Sequence, residues 1–458
     1  MGVDETTIDQ WLDRHHVDII RTHATTLDGA LIGKYLNRTK FTKALPDGHN
    51  ISDMALGMDL AGFPHLTFWH AFRNSHLGDI KLKPDLDTII WDGIDPDLGH
   101  IICDFVDIND EPISICPRSL LKRTINNIAD LGYQVKAAFE LEFFLFKGTY
   151  EELRRTDYAS PEPVTASNNQ FFYSARNAYH AKPFMDEVIK RLNHQRIAWE
   201  SWNDEGGAGQ LELNFPAGDP LRAADTIVRV KQIIYQTAVD HSMAASFMPH
   251  LLPGYSSALH IHHSLLDASG KPVFVEERQR TPLMQHWIAG IVDTMPAATS
   301  ILCPTINAYR RFSDFSGPPM TPSWGEENKS AALRIISAPT SAARIEHRLP
   351  SSEANPYLAL ATILAGGISG LEKKLNPPPE TLHLGWGLPE TDKRLPITIG
   401  NASDALSSCD SLRETLGTDF VDYWVNSRRW EWLTFHTEAK DIDNGTTQWE
   451  LNRYFELI

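Results

Sequence analysis

Apolar and polar positions change rhythm several times along the chain, and each change predicts an element. Residues 5–16 read as a short acidic helix. Residues 17–36 hold two alternating apolar stretches around Asp28-Gly29, the signature of a β-hairpin. Strands are also expected over 86–92 and 100–107. The aromatic stretch 62–78 has no clean period and reads as a loop. Residues 1–112 are therefore expected to form a small, mostly β domain.

From Pro117-Arg118 the texture changes. The spacing predicts a helix over 118–131, a strand over 134–146, a helix over 181–194, and strands over 196–202 and 209–215. A helix over 219–247, a strand over 257–266 and a helix over 282–297 follow. Asn355-Pro356 is an N-cap with proline at the first helical position, launching a helix over 356–375. Pro377-Pro378-Pro379 closes it, and the C-terminal stretch is expected to be helical. The fold class is α+β, with a large catalytic domain over 113–458.

Composition narrows the function. The 458 residues carry 42 Lys plus Arg against 59 Asp plus Glu, a net charge of −17. No basic face for nucleic acid is expected from that balance. No apolar run approaches the roughly 20 residues of a membrane span, so no membrane partner is expected. The four cysteines, Cys103, Cys116, Cys303 and Cys409, are widely spaced, which fits a reducing, cytoplasmic compartment.

Four constellations carry candidate chemistry. Glu140 and Glu142 alternate on the strand AAFELEFFLF, so both carboxylates leave one face of an otherwise apolar segment. Ions left unpaired there cost several kcal/mol each, so a cation is expected. Glu205 and Glu212 bracket the glycine-rich turn EGGAGQLE, which lets two carboxylates converge. His260 and His262 share a face of HIHHS. Carboxylates with one His suit Mg²⁺ or Mn²⁺ rather than Zn²⁺. Between Asn307 and Arg348 lie Arg310, Arg311, Lys329, Arg334, Arg344, Glu346 and Arg348. Arginine forks suit carboxylates and phosphates. Such equipment fits phosphate chemistry with ATP on an anionic substrate, and no Walker A or kinase glycine loop is present.

FELEFFLF, EGGAGQLE, HIHHSLLDASGKPVF, NAYRR, WGEENKSAALRI and RIEHRLPSSEANPYLALA occur in this order. Together they resemble the glutamine synthetase family, and within it the γ-glutamyl-amine ligase branch, from about Val17 to the C-terminus. The resemblance implies an N-terminal β-grasp domain, a catalytic domain on an antiparallel sheet, and stacked rings, commonly a dodecamer, with active sites between neighbours. It implies one metal site from Glu142, Glu205 and Glu212 and a second from Glu140, His260 and Glu346. Arg311 and Arg348 match holders of the glutamate carboxylates, Arg334 an arginine facing the ATP phosphates, and His262, Ser264 and Arg344 the nucleotide site. Arg311, Arg334, Arg348 and Lys329 are the implied catalytic cations. The implied reaction activates the γ-carboxylate of glutamate as γ-glutamyl phosphate, which an amine then attacks.

Four departures from the family pattern bear on the substrate. The loop 62–78 has no Asp before Asp79, and Gly317 replaces a flap glutamate. Both acids serve ammonium in ammonia-using members. Lys329 replaces an arginine, and Tyr255-Ser256-Ser257-Ala258 replaces the Asn-Gly-Ser-Gly that contacts glutamate. With Phe63, Phe68 and Trp69 beside Gly317, the pocket is expected to favour a small alkyl or aromatic monoamine. Putrescine, with Glu326 and Glu327 as distal carboxylates, and ammonia remain open alternatives.

Overall fold

The computed structural model describes residues 3–64, 77–165, 171–252, 254–312, 317–386, 394–440, 442 and 445–456. The Asp28-Gly29 signal forms the expected hairpin of β1 (Ile19–Thr25) and β2 (Leu31–Asn37). Gly29 takes φ +88°, a conformation glycine adopts without a Cβ penalty. The N-terminal sheet adds β3 (His49–Ser52), β4 (Asp79–Pro84), β5 (Ile90–Trp91) and β6 (Leu98–Val106), in the order β2-β1-β6-β4-β3 with β5 also on β6. β1 runs parallel to β6 and antiparallel to β2, so the sheet is mixed, as a β-grasp unit requires. The strand expected over 86–92 is cut down to β5, because the Asp85 side chain accepts from the Asp87 amide and caps a 3₁₀ turn over Leu86–Thr88. β3 and β4 escape a periodicity reading because they are short.

The second sheet contains β7 (Tyr133–Lys147), β8 (Ser201–Asp204), β9 (Gln210–Asn214), β10 (Met243–Ser246) and β11 (Leu259–Asp267). After a small hairpin of β12 (Val275–Glu276) and β13 (Gln279–Arg280), it adds β14 (Trp324–Glu326), β15 (Leu333–Ile336) and β16 (Arg344–His347). Its order is β14-β15-β16-β11-β7-β9-β8, with β10 also on β7. Two expectations need correction. The helix expected over 219–247 ends at Asp240, and Met243–Ser246 instead pairs with Lys147–Phe144. No glycine or proline stands at Asp240-His241-Ser242 to mark that switch, and Ser242 at φ +54° makes it. The strand expected from 196 starts at Ser201, after Arg196 turns the chain at φ +56°.

On one face of this sheet Phe139, Leu141, Phe143, Leu211, Leu213, Ile261 and Ile345 are buried in the core. The helices Pro117–Asp130 and Pro220–Asp240 pack on β7. Pro282–Leu302 and Pro356–Lys373 cross each other closely behind. No helix among the described residues is long and apolar enough to cross a membrane. Buried Arg118 ties the N-terminal sheet to the helix Pro220–Asp240: it donates to Asp225 at 2.8 Å, Asp104 at 3.1 Å and Asp85 at 2.7 Å. Asn355 caps its helix at Tyr357 N (3.0 Å) and donates to the Thr26 carbonyl (2.9 Å) at the hairpin turn.

The helix crossing depends on Gly370, whose added Cβ would lie 2.0 Å from the His286 carbonyl oxygen. Gly370→Ala is expected to destabilise by about 1–3 kcal/mol through overpacking. A urea midpoint equal to that of the unmodified protein would contradict this.

Candidate active site

The other face of the second sheet collects the acids. In antiparallel pairs, residues directly opposite share a face. Glu140 lies opposite His260 of β11, Glu142 opposite Glu212 of β9, and Glu346 opposite both His262 of β11 and Arg334 of β15. Five strands thus place Glu140, Glu142, Glu212, His260, His262, Glu346 and Arg334 on one face. Glu205 joins from the turn after β8, where its backbone N–H bonds to the Gln210 carbonyl at 3.0 Å. His263 points the opposite way and is structural: its Nε2 accepts from Trp287 Nε1 at 2.8 Å in the core.

The cluster is electrostatically divided. Glu346, 1% exposed, accepts from Arg334 at 3.1 Å and is also paired with Arg348. Its burial would raise its pKa, but Arg348, His260 and His262 outweigh that and hold it below its ordinary value. Glu140 is likewise held low despite burial, by His260 (3.2 Å) and His262 (2.9 Å). Burial and mutual repulsion act in the opposite sense on the other three acids. Burial with Glu205 and Glu212 drives Glu142 well above its ordinary value. Glu205 is also raised, chiefly by burial, and Glu212 is pushed up to about 8 by burial and the charges of Glu140 and Glu205. Neutral groups support them: Gln210 and the Ala258 amide on Glu142 (2.9 Å each), Asn203 (3.0 Å) and the Gly206 amide on Glu205, and Asn214 on Glu212 (3.0 Å).

That arrangement fits a divalent cation: oxygen donors crowd together and repel one another without one. Two sets of ligand atoms lie within 4.8 Å of one another, Glu140 with Glu212 and His260, and Glu140 with His262 and Glu346. The first is chemically freer. Burial and Arg348 keep His260 neutral; with its Nδ1 donating to Glu140, Nε2 retains a lone pair. Both nitrogens of His262 are engaged, Nε2 by Glu140 and Nδ1 by Arg344 Nε at 3.2 Å.

The remaining predicted residues divide. Arg334 also reaches Glu327 at 2.5 Å, Ser264 lies half-buried farther along the site face of β11, and exposed Lys329 lowers the pKa of Glu205 against its burial. Arg311 is fully buried and bonds to the carbonyls of Leu349 (2.6 Å) and Ser257 (3.1 Å), so here it braces the backbone behind the site. Phe63 is exposed on the N-terminal unit with its amide bonded to Asp59, while Phe68 and Trp69 lie outside the described residues. The sequence reading missed an aromatic edge beside Glu205. A Cβ on Gly206 would sit 2.8 Å from Phe172 and 3.3 Å from Tyr255, both exposed rings. Burial and the carboxylates of Glu205, Glu212 and Glu140 raise the pKa of adjacent Tyr173. Gly317 approaches the same edge, 3.6 Å from Ser256 Oγ by its would-be Cβ. The run QFFYS was the available signal, but nothing local relates it to a turn more than thirty residues later.

Residues 114–454 match the family model described as the glutamine synthetase catalytic domain. The chain belongs to the glutamine synthetase family. Members of this family are ATP- and divalent-metal-dependent, and the chain is an ATP-dependent ligase of that family. It is 32% identical over 456 residues to a glutamate–isopropylamine ligase from a Pseudomonas species, covering 98% of this chain and 97% of that protein. It is also 32% identical over 385 residues to a γ-glutamylanilide synthase from an Acinetobacter species, covering 79% and 75%. The solved structure of the GmaS/ADP complex shares the fold, with a TM-score of 0.83 at 22% identity over 96% of this chain and 98% of that one.

The raised acids set a pH dependence. Unfolded Glu212 ionises near its ordinary 4.5, while the folded chain holds its proton up to about 8. Its stabilising contribution is therefore whole below 4.5 and is lost as pH rises through 8. A bound divalent cation relieves the repulsion and competes with the proton. Mg²⁺ or Mn²⁺ is expected to raise Tm more at pH 8 than at pH 6. Equal increments at the two pH values would show that these acids do not hold the cation.

Proposed function

We propose that this protein joins the γ-carboxylate of L-glutamate to a small alkyl or aromatic monoamine, with ATP supplying the leaving group. The observation that carries the reading is the aromatic edge of Phe172, Tyr173 and Tyr255 against Glu205, with Gly317 leaving space where an acid side chain is absent. An apolar wall contributes about 0.8 kcal/mol per buried CH₂ and favours the neutral, nucleophilic amine. The substrates of the isopropylamine and anilide ligases, one alkyl and one aryl amine, support the same chemical class. Putrescine is disfavoured, because the carboxylates reserved for its distal ammonium are spent: Glu326 accepts from Ser337 at 2.8 Å and Glu327 from Arg334. Ammonia is disfavoured by Gly317 and by the absence of an Asp in 62–78.

In this reading Glu142, Glu205 and Glu212 hold one Mg²⁺ or Mn²⁺, and Glu140, His260 and Glu346 a second. The cations neutralise phosphate oxygens when bound. Arg344 holds His262 in the tautomer that donates to Glu140. Arg334 and Arg348 flank the acids, each with Nη1 on Glu346, and the Nε of Arg348, without a partner, can turn to an anion. We assign Arg334 to the ATP phosphates and Arg348 to a glutamate carboxylate; Arg311 positions the Ser257 and Leu349 backbone beside them. His262, Ser264 and Arg344 line the nucleotide side, and Lys329 stands over the acyl phosphate. Glutamate oxygen attacks the γ-phosphorus, ADP leaves, and the amine then displaces phosphate from the acyl carbon. The assignment includes a domain division at 112/113, a cytoplasmic setting and a dodecamer of stacked rings, in which Phe63, Phe68 and Trp69 of one subunit complete a neighbour's amine pocket.

Two measurements test this. ADP release with glutamate is expected to be faster, by kcat/KM, for isopropylamine or aniline than for ammonium or putrescine; ammonium as the best substrate would overturn the amine assignment. Arg348→Lys keeps the charge but loses the fork, so glutamate kcat/KM is expected to fall about ten- to a hundredfold, the equivalent of roughly 1.5–3 kcal/mol. Unchanged glutamate kinetics would make Arg348 structural.

A further inference from the structure

A small cavity, separate from the acid cluster, lies where the N-terminal sheet meets the helix Pro220–Asp240, with Leu31, Ile90 and Ile233 on its apolar side. Arg21, His23, His100, Gln195, Arg229 and Gln236 line it. Its position follows from register. Arg21 and His23 share a face of β1, and Arg21 lies beside His100 of β6. Arg229 and Gln236, seven residues apart, lie on one stripe of the helix.

The charges in this cavity do not balance. Among the described residues the Arg21 side chain has no hydrogen bond or ion pair, and Arg229 bonds only to the Thr88 carbonyl, its Nε buried without a partner. Burial pulls the Arg229 pKa down to about 10 against the charge of Asp225, a carboxylate already taken by Arg118 (2.8 Å) and Tyr357 (2.7 Å). Asp92, beside His100, is likewise spent, on that ring at 2.6 Å. His23 is 3% exposed, and neither of its ring nitrogens has a hydrogen-bond partner. Burial and the two arginines keep that ring neutral, with one N–H to give. The space is about 10 Å³, room for one water-sized occupant. Water alone would leave two partly buried cations uncompensated.

We propose that this cavity binds a single small anion, chloride in size, held by Arg21, Arg229, the His23 N–H and the Gln236 amide. The anion would pin β1 to the helix Pro220–Asp240, and so the N-terminal sheet to the catalytic sheet that this helix packs against.

The test uses the full chain. Crystals soaked in bromide are expected to show an anomalous peak between Arg21 and Arg229. In solution, Tm in sodium chloride is expected to exceed Tm in sodium gluconate at equal ionic strength, saturably and by roughly 1–2 °C. Arg21→Met is expected to remove both signals; if that variant does not fold, Gln236→Leu is expected to weaken them. Absence of the peak, or a Tm that follows ionic strength whatever the anion, would overturn the proposal. So would either signal surviving intact in a folded Arg21→Met protein.

Discussion

The structure is organised around carboxylates that share one sheet face at a distance where they repel. Glu142, Glu205 and Glu212 are buried together, and each is held above its ordinary pKa. Such a cluster persists only because the surrounding fold is stable enough to impose it. The opposite face of the same strands supplies that stability through Phe139, Leu141, Phe143, Leu211 and Leu213. One alternation along β7 and β9 thus serves two purposes, anchoring on one side and cation binding on the other.

The arginines divide the site into two halves. Arg334 and Arg348 compensate Glu346, and the two histidines compensate Glu140, so this half stays ionised without a metal. The half at Glu142, Glu205 and Glu212 is hydrogen-bonded by amides, and Arg348 and Lys329 act on it through space alone. A cation is needed most where, among the described residues, no arginine pairs directly with a carboxylate. This asymmetry explains how one small region can hold metals while presenting guanidinium groups to anionic substrates.

Substrate choice rests on what is missing near Glu205 as much as on what is present. Gly317 leaves volume, and Gly206 lets Phe172 and Tyr255 approach the backbone within van der Waals contact. A side chain at Gly206 would push those rings away and open the edge to water. The two glycines and the aromatic edge form one feature, although residues 172, 206, 255 and 317 are far apart in the chain.

Much of this was legible in the sequence. Alternation in AAFELEFFLF set two carboxylates on one face because strand period is two, and Asn355-Pro356 began a helix because cap and proline both favour it. The Asp28-Gly29 turn is equally local. Tertiary structure alone decided what depends on cross-strand register or distant packing. The end of the helix at Asp240 was hidden because no glycine or proline marks the step from the helix into β10. The burial of Arg311 against Leu349, the division of the acids by arginine, and the approach of Phe172 to Gly206 each join residues that no local period relates. Sequence determines which groups a strand presents, because that follows from backbone geometry; which of those groups meet, and at what pKa, follows from how strands and helices pack.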